Sequence, residues 1–79
     1  MEHLKELVLV IARALVDDPE QVKVNMIEST NSLVIELSVS KRDIGKIIGK
    51  QGKTAGAFRI ILNAVGAKSR NRVILEVIE

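Results

Sequence analysis

The sequence predicts a single α+β domain in which a three-stranded mixed sheet carries its helices on one face. Two observations lead to this expectation. Apolar residues change between helical and strand periodicity along the chain, which gives the element order α-β-β-α-α-β. The chain has 79 residues, of which 47% are hydrophobic and 28% charged. This suits one folded core and is too short for two, so we expect residues 1–79 to form one domain.

The first part of the chain is predicted to form a helix followed by a hairpin. Apolar residues at helical spacing indicate an amphipathic helix over residues 2–16. Pro19 ends it, because the residue before a proline is pushed out of helical geometry. Apolar residues at alternate positions then predict strands over residues 21–28 and 33–39. The turn between them is short, so the two strands are expected to be antiparallel.

The central part is predicted to hold two helices separated by a glycine turn. Ser40 and Asp43 have the spacing of a capping box, in which each side chain binds the backbone N–H of the other. A short helix is therefore expected over residues 41–48. The turn Gly49-Lys50-Gln51-Gly52 ends it, and renewed helical periodicity predicts a second helix over residues 53–65.

The last part is predicted to be a strand that completes the sheet. Gly66 stands where a glycine often ends a helix in the left-handed conformation. Residues 73–78 alternate in the strand pattern. Because two helices connect this strand to the one before, the two strands are expected to be parallel.

The composition excludes several classes of function. There is no cysteine, and the single histidine is His3, close to the start of the sequence. A disulfide framework, thiol catalysis and multi-histidine metal sites are therefore excluded, and no cofactor is expected. No apolar run reaches the length of a membrane span, and the first residues carry acids where a signal peptide carries bases. These features predict a cytoplasmic protein without a membrane partner.

The charges are distributed unevenly along the chain. Residues 1–40 contain three bases and seven acids, whereas residues 41–72 contain nine bases and one acid, Asp43. The net charge of the whole chain is only +2. Concentration of the positive charge in one segment is typical of a protein that binds a polyanion.

Three features that favour phosphate binding coincide at residues 49–52. The two glycines allow a tight turn and the close approach of another backbone. The turn leads into a predicted helix, whose free N–H groups attract anions. Positive charge surrounds it on Lys46, Lys50 and Lys53.

One phosphate motif is a poor match to this segment. Gly52-Lys53-Thr54 resembles the end of a Walker A loop. That motif requires a glycine five positions before Gly52, where this chain has Ile47, and it also requires a preceding strand. A nucleotide hydrolase is therefore disfavoured. No paired nucleophile and base, or pair of carboxylates, indicates another enzyme class.

The segment resembles a KH motif, a Gly-x-x-Gly turn between two helices that holds single-stranded nucleic acid. Here the motif follows the apolar pair Ile47-Ile48 and lies between two predicted helices, with two strands before and one after. The resemblance covers the whole chain. The element order is similar to the type II KH domain, and the small size is similar to the stand-alone bacterial KH proteins of the KhpA type.

The resemblance implies a set of RNA-binding residues. The turn would hold the sugar-phosphate backbone, with further contacts at the start of the following helix, and aliphatic side chains would form the floor of a groove for the bases. Carried over to this chain, the expected RNA-binding residues are Gly49, Lys50, Gln51, Gly52, Lys53, Thr54, Lys46, Ile48, Ile44 and Ile47. Charge and turn geometry do not distinguish RNA from single-stranded DNA, because that choice depends on contacts to the 2′-hydroxyl.

The second central helix is predicted to have two apolar sides. Helical spacing places Phe58, Ile61, Leu62 and Val65 on a core side. The opposite side carries Gly56, Ala57, Ile60 and Ala64. A helix that is apolar on both sides of a thin domain indicates a partner surface. The KhpA-type resemblance implies either a homodimer or a heterodimer with a larger KH-containing protein.

Two functions from different classes follow from these patterns. The first is a non-enzymatic RNA-binding protein that acts as an RNA chaperone or post-transcriptional regulator. The alternative is a protein–protein adaptor or dimerisation module with little intrinsic RNA binding, which the two-sided helix favours. The turn distinguishes them, since an adaptor should tolerate acidic residues at positions 50 and 51.

Overall fold

A computed structural model describes residues 2–78, so the first and last residues of the predicted domain lie outside the described part. The helices and strands follow in the predicted order. They are α1 (Glu2–Leu15), β1 (Lys23–Glu28), β2 (Ser32–Ser38), α2 (Ile44–Ile48), α3 (Lys53–Lys68) and β3 (Arg72–Ile78). Short 3₁₀ turns occur at Pro19–Gln21, Lys41–Asp43 and Lys50–Gly52. The predicted single helix over residues 41–48 is thus a 3₁₀ turn followed by one short α-helix.

The strands form one mixed sheet in the order β1-β2-β3. Strands β1 and β2 are antiparallel, with Lys23 opposite Ser38, while β2 and β3 are parallel, with Ser32 beside Arg72. Alternate residues of the central strand are fully or almost fully buried, because one face of the sheet is covered by the helices. The predicted α+β fold with a three-stranded mixed sheet is confirmed.

Helix α1 packs on the sheet through one stripe of apolar side chains. Leu4, Val8 and Ala12 recur at intervals of four and are buried in the core cluster. At the end of the helix Leu15 is 37% exposed, while Val16 returns to the core. The helix stops one residue before its predicted end. None of the helices in residues 2–78 has the length and apolar character needed to cross a membrane.

The prediction that Gly66 ends the second central helix is wrong. Helix α3 continues to Lys68, and the left-handed residue is Arg70, with φ of +58°. The Arg70 N–H donates to the carbonyl of Ala67 and the Asn71 N–H to that of Gly66, which is the Schellman pattern of helix ends. Gly66 is required for packing, since a Cβ there would lie 2.6 Å from the Asn71 carbonyl oxygen.

The predicted core side of α3 is partly wrong as well. Phe58 and Leu62 are buried and Val65 is half-buried, as expected, but Ile61 is 45% exposed. The helix lies on the sheet through a narrow stripe. Ile61 points away from that stripe, because each residue of an α-helix is rotated about 100° from the next one, here Leu62. Ile61 therefore extends the exposed apolar surface of α3 toward Ile60.

Candidate nucleic-acid interface

The turn between α2 and α3 is built from left-handed backbone conformations. Gly49 and Gly52 have φ of +77° and +74°, and Gln51 between them has φ of +58°. The Gly52 N–H donates to the Gly49 carbonyl over 3.1 Å, which closes a four-residue turn. The turn thereby reverses the chain between two helices that pack against each other.

The two glycines are needed for different reasons. A Cβ on Gly49 would lie 2.6 Å from the Thr54 Cβ and 2.8 Å from the Thr54 backbone nitrogen, so the backbone of the turn rests directly on the first turn of α3. At Gly52 the positive φ favours glycine, and apart from the adjoining residues nothing lies within 4 Å of the position of a Cβ. Gly49 therefore closes the turn against the protein, whereas Gly52 leaves open space on the outer side, where another molecule can approach its backbone.

The first turn of α3 is a site of positive potential. Gly52 is its N-cap and provides no side chain to accept a hydrogen bond from the first N–H groups. A 16-residue helix also concentrates the positive end of its dipole at this point. Lys50 and Lys53 are exposed and form no ion pair with a carboxylate among residues 3–78, whose side chains the structure describes. The Lys53 N–H itself donates to the Lys50 carbonyl. The site thus combines a helix dipole and two exposed cations around an open turn.

Lys46, by contrast, is already paired. Its Nζ lies 3.2 Å from the Asp17 Oδ2 and 3.6 Å from the Asp43 Oδ1. The Asp17 hydrogen bond is the largest cause that raises the pKa of Lys46 above its usual 10.5. Because two carboxylates compensate its charge, Lys46 contributes to holding the site together and little to its net potential.

Asp43 fixes the end of α1 to the segment that carries the turn. It is fully buried, and its carboxylate accepts hydrogen bonds from the Asp17 N–H over 3.3 Å and the Asp18 N–H over 3.1 Å. Burial by itself raises the pKa of Asp43, but these two donors and Lys46 outweigh it and hold the pKa below the usual 3.8. The predicted capping box is wrong, because Ser40 makes no side-chain cap and Asp43 bonds to a distant loop.

The three isoleucines predicted to form the groove floor occupy different environments. Ile47 is fully buried in the core cluster, so it supports α2 from below and presents no surface to a ligand. Ile44 is half-buried at the edge of that cluster, and Ile48, next to the turn, is 41% exposed. Ile44 and Ile48 are therefore the members of this set whose side chains can contact a base.

The structure adds a cleft that was not predicted from the sequence. It has a volume of about 220 Å³ and lies between α3 and the outer edge of β3. Its lining residues are Arg59, Asn63, Arg72, Val73, Ile74 and Leu75. Gly56, Arg59 and Asn63 recur at helical spacing on one face of α3, in line with the N-cap Gly52, so this face connects the cleft to the turn. This spacing was the signal in the sequence from which the cleft could have been predicted.

The edge of β3 in this cleft has hydrogen-bonding groups to offer. The Arg72 N–H donates to the Asn31 carbonyl on the β2 side over 2.9 Å. Because backbone groups alternate in direction along a strand, Val73 and Leu75 point theirs away from β2. The Arg59 Nη2 donates to the Leu75 carbonyl over 3.4 Å. Together the turn, the first turn of α3 and this edge can bind a phosphate backbone and hydrogen-bond the edges of bases beside it.

No group of three or more His, Cys, Asp or Glu residues in the described part of the chain is arranged to hold a metal ion. The chemistry of the site is that of hydrogen-bond donors and cations around an open backbone.

Comparisons with known proteins agree with this geometry. The family model described as "KhpA/KhpB, KH domain" matches residues 5–77. Among curated proteins, the "RNA-binding protein KhpA" of Caldanaerobacter subterraneus subsp. tengcongensis is 51% identical over 73 residues, which cover 92% of this chain and 97% of the relative. The proteins of the same name from Clostridium perfringens and Aquifex aeolicus are each 47% identical, over 95% and 100% of this chain and 100% of each relative.

No solved structure matches this chain. The family model nevertheless covers nearly all of the described residues, and the relatives align over almost their whole lengths. The resemblance to KH proteins is therefore confirmed: the chain belongs to the KhpA/KhpB family of KH-domain proteins.

Proposed function

We propose that this chain is a non-enzymatic RNA-binding protein that holds single-stranded RNA at the turn between α2 and α3. The observation that carries the proposal is the open side of Gly52 at the uncapped start of α3, with Lys50 and Lys53 free beside it. A phosphate backbone can approach Gly52 without meeting a Cβ, and it meets the positive end of the α3 dipole and two cations there. The names of the relatives, each an RNA-binding protein, support the same ligand class.

Each candidate residue has a role in this proposal. Gly49 closes the turn and Gly52 admits the RNA backbone, while Lys50, Gln51 and Lys53 contact phosphates and Thr54 lies at the helix start. Ile44 and Ile48 contact the bases, and Ile47 supports them from the core. Arg59 and Asn63 join the set because they line the adjoining cleft. Lys46 acts indirectly, through its pairing with Asp43.

The size of the site indicates how such a protein would act. A KH turn holds about four nucleotides, so one domain is expected to bind with modest affinity and low sequence specificity. Such binding suits an RNA chaperone or post-transcriptional regulator that acts on many transcripts. The domain contains a single aromatic residue, Phe58, which is buried, so stacking on exposed aromatic rings does not contribute.

A titration of labelled single-stranded RNA at two salt concentrations tests this function. With about three phosphate contacts, affinity should fall about 20-fold between 50 and 200 mM salt, since each contact contributes a slope of about 0.7. Single-stranded DNA and duplex RNA of the same sequence serve as comparisons. Equal or tighter binding of the duplex would contradict a site for single strands, and no binding of any of them at low salt would contradict the function.

An exposed apolar surface on α3 favours association as a second property. Ile60 is 71% exposed and Ile61 45% exposed, and the small residues Ala57 and Ala64 lie exposed beside them, with Gly56 half-exposed. Isolated large apolar side chains are common on surfaces, but adjacent ones surrounded by alanines favour a packed interface. We infer that this outer face of α3 joins two copies of the chain, or this chain and a larger KH-containing protein.

Ile60→Glu is expected to abolish this association. Burial of an unpaired carboxylate in an apolar interface costs several kcal/mol, which shifts the dimer dissociation constant by at least about 100-fold. Sedimentation over a range of concentrations measures the shift. Val10→Glu is the matched control, because Val10 is 63% exposed on α1, away from this face. A wild-type chain that stays monomeric at high micromolar concentration and binds no KH partner would contradict the inference.

A further inference from the structure

The end of α3 that is remote from the turn carries a second concentration of positive charge. Lys68, Arg70 and Arg72 are exposed there within five positions of the sequence. None of the three forms an ion pair with a carboxylate of the described residues. They lie near the negative end of the α3 dipole, which lowers the cost of placing cations together. The residue roles proposed above do not include these three side chains, although Arg72 also lines the cleft beside Arg59.

Arg70 occupies a backbone conformation that costs free energy. Its φ of +58° is one that glycine adopts freely, whereas a residue with a side chain incurs about 1–2 kcal/mol. The Schellman bonds of Arg70 and Asn71 hold it there. Glycine at this position would end the helix equally well, so packing and helix termination do not explain the arginine. A residue retained at a cost in stability is a reason to look for a ligand.

The cleft described above connects this cluster to the turn. Its lining runs from Arg59 and Asn63 on α3 to Arg72 at the start of β3. Beyond Arg72, a second cleft of about 210 Å³ is lined mainly by polar residues of the β1–β2 turn and by Asn71. The lining of this second cleft includes one carboxylate, that of Glu28. A strand of RNA that leaves the turn along α3 would pass Arg59 and Asn63 before it reaches Arg72.

The length of α3 sets the distance between the two basic regions. Lys53 and Lys68 are 15 residues apart, which corresponds to about 22 Å along the helix. The turn by itself occupies about four nucleotides. A stacked single strand advances about 3.4 Å per nucleotide, so about six more nucleotides are needed to reach the far end.

We propose that Lys68, Arg70 and Arg72 form a second phosphate-binding site for RNA already held at the turn, so that one domain covers about ten nucleotides. The inference rests on the proposed RNA-binding function and extends it. Contacts at the two ends are made by different nucleotides of one strand. The second site is therefore expected to act only on RNA long enough to span α3.

The test compares oligouridylates of about four and about ten nucleotides on the full chain with and without the second site. The variant is Arg70→Gly with Arg72→Gln. Glycine suits the left-handed position, so the first change removes a charge without loss of folding. Each lost contact to a single strand costs about fivefold in affinity at 0.1 M salt and about 0.7 in the salt slope. The decamer should therefore bind the variant about 25-fold more weakly, while the tetramer changes by less than about twofold.

A charge-matched control separates local contact from general attraction. Arg13→Gln with Lys23→Gln also removes two positive charges, but from exposed positions on α1 and β1. It should leave decamer binding within about twofold of the wild type. Equal losses for both double variants, or equal losses on both RNA lengths, would overturn the second site. So would a wild-type chain that binds the tetramer as tightly as the decamer. If neither RNA binds the wild type, the RNA-binding function itself fails.

Discussion

Replacing Lys50 and Gln51 with aspartate is expected to lower the affinity for single-stranded RNA by at least about 25-fold. Loss of the lysine contact accounts for about fivefold at 0.1 M salt. Two carboxylates at the open side of the turn add repulsion from the phosphates at the point where the RNA backbone approaches most closely. The binding titration described above measures the effect, and the salt slope should fall in the same variant.

The double variant is a clean test because it is compatible with the turn. Gln51 has φ of +58°, a conformation that aspartate adopts more readily than most residues, and Lys50 is exposed. Lys5→Asp with Gln21→Asp makes the same two chemical changes at exposed positions of α1 and the following 3₁₀ turn. If both double variants bind RNA equally, the affinity comes from net charge and the site assignment is wrong. If neither the wild type nor the variants bind RNA, the adaptor function becomes the better explanation of the fold.

Asp43→Asn is expected to lower the melting temperature by on the order of 10 °C. The buried carboxylate accepts hydrogen bonds from the backbone of Asp17 and Asp18 and pairs with Lys46. An amide of the same shape keeps one acceptor oxygen, turns an N–H₂ group toward the other donor, and removes the negative charge from Lys46. Because these contacts join α1 to the segment before the turn, RNA affinity should fall together with stability.

Asp18→Asn is the matched control for this change. It alters a carboxylate at the same loop whose side chain has no hydrogen bond among the described residues, so the melting temperature should change by less than about 3 °C. Thermal unfolding followed by circular dichroism measures both. Equal melting temperatures for the two variants would show that the buried carboxylate does not hold the loop.

The difference in melting temperature between the wild type and Asp43→Asn should depend on pH in a definite direction. The pKa of folded Asp43 lies below its usual 3.8, so its contribution to stability is complete above that pH and is lost as the pH falls through the folded value. The pKa of Lys46 is raised above 10.5, so its contribution is complete below that pH. The gap in melting temperature between wild type and Asp43→Asn should be constant near neutral pH and should narrow below 3.8. A gap that is independent of pH down to the acid limit would contradict the assignment.

Much of the fold was predictable because its signals are local. The periods of apolar residues gave the order of the helices and strands, and the boundaries moved by only a few residues. Two of the wrong details concern helix ends, and a third is the exposure of Ile61 on the predicted core side of α3. Ser40 and Asp43 have a capping spacing, and Gly66 has the position of a helix stop, but both expectations considered only neighbouring residues. In the structure Asp43 bonds to residues 25 and 26 positions away, and Gly66 packs against Asn71 and Val73.

In the candidate site, too, local features were predictable from the sequence and long-range contacts were not. The turn at residues 49–52 and the cations on Lys50 and Lys53 follow from a contiguous segment, and its resemblance to KH proteins was visible in the sequence. The pairing of Lys46 and the burial of Ile47 were not visible, because each depends on what packs over that face of α2. The same holds for the cleft at Arg59, whose partner Leu75 is 16 residues away on β3.

The sequence by itself determined the fold class, the position of the turn and the concentration of positive charge after residue 40. Each is a property of residues close together in the chain, where backbone propensity and side-chain period act directly. Only the tertiary structure decided which cations are free, which isoleucines are accessible and where the edge of β3 meets α3. These depend on burial and pairing between distant segments, and such contacts exist only once the sheet brings those segments together.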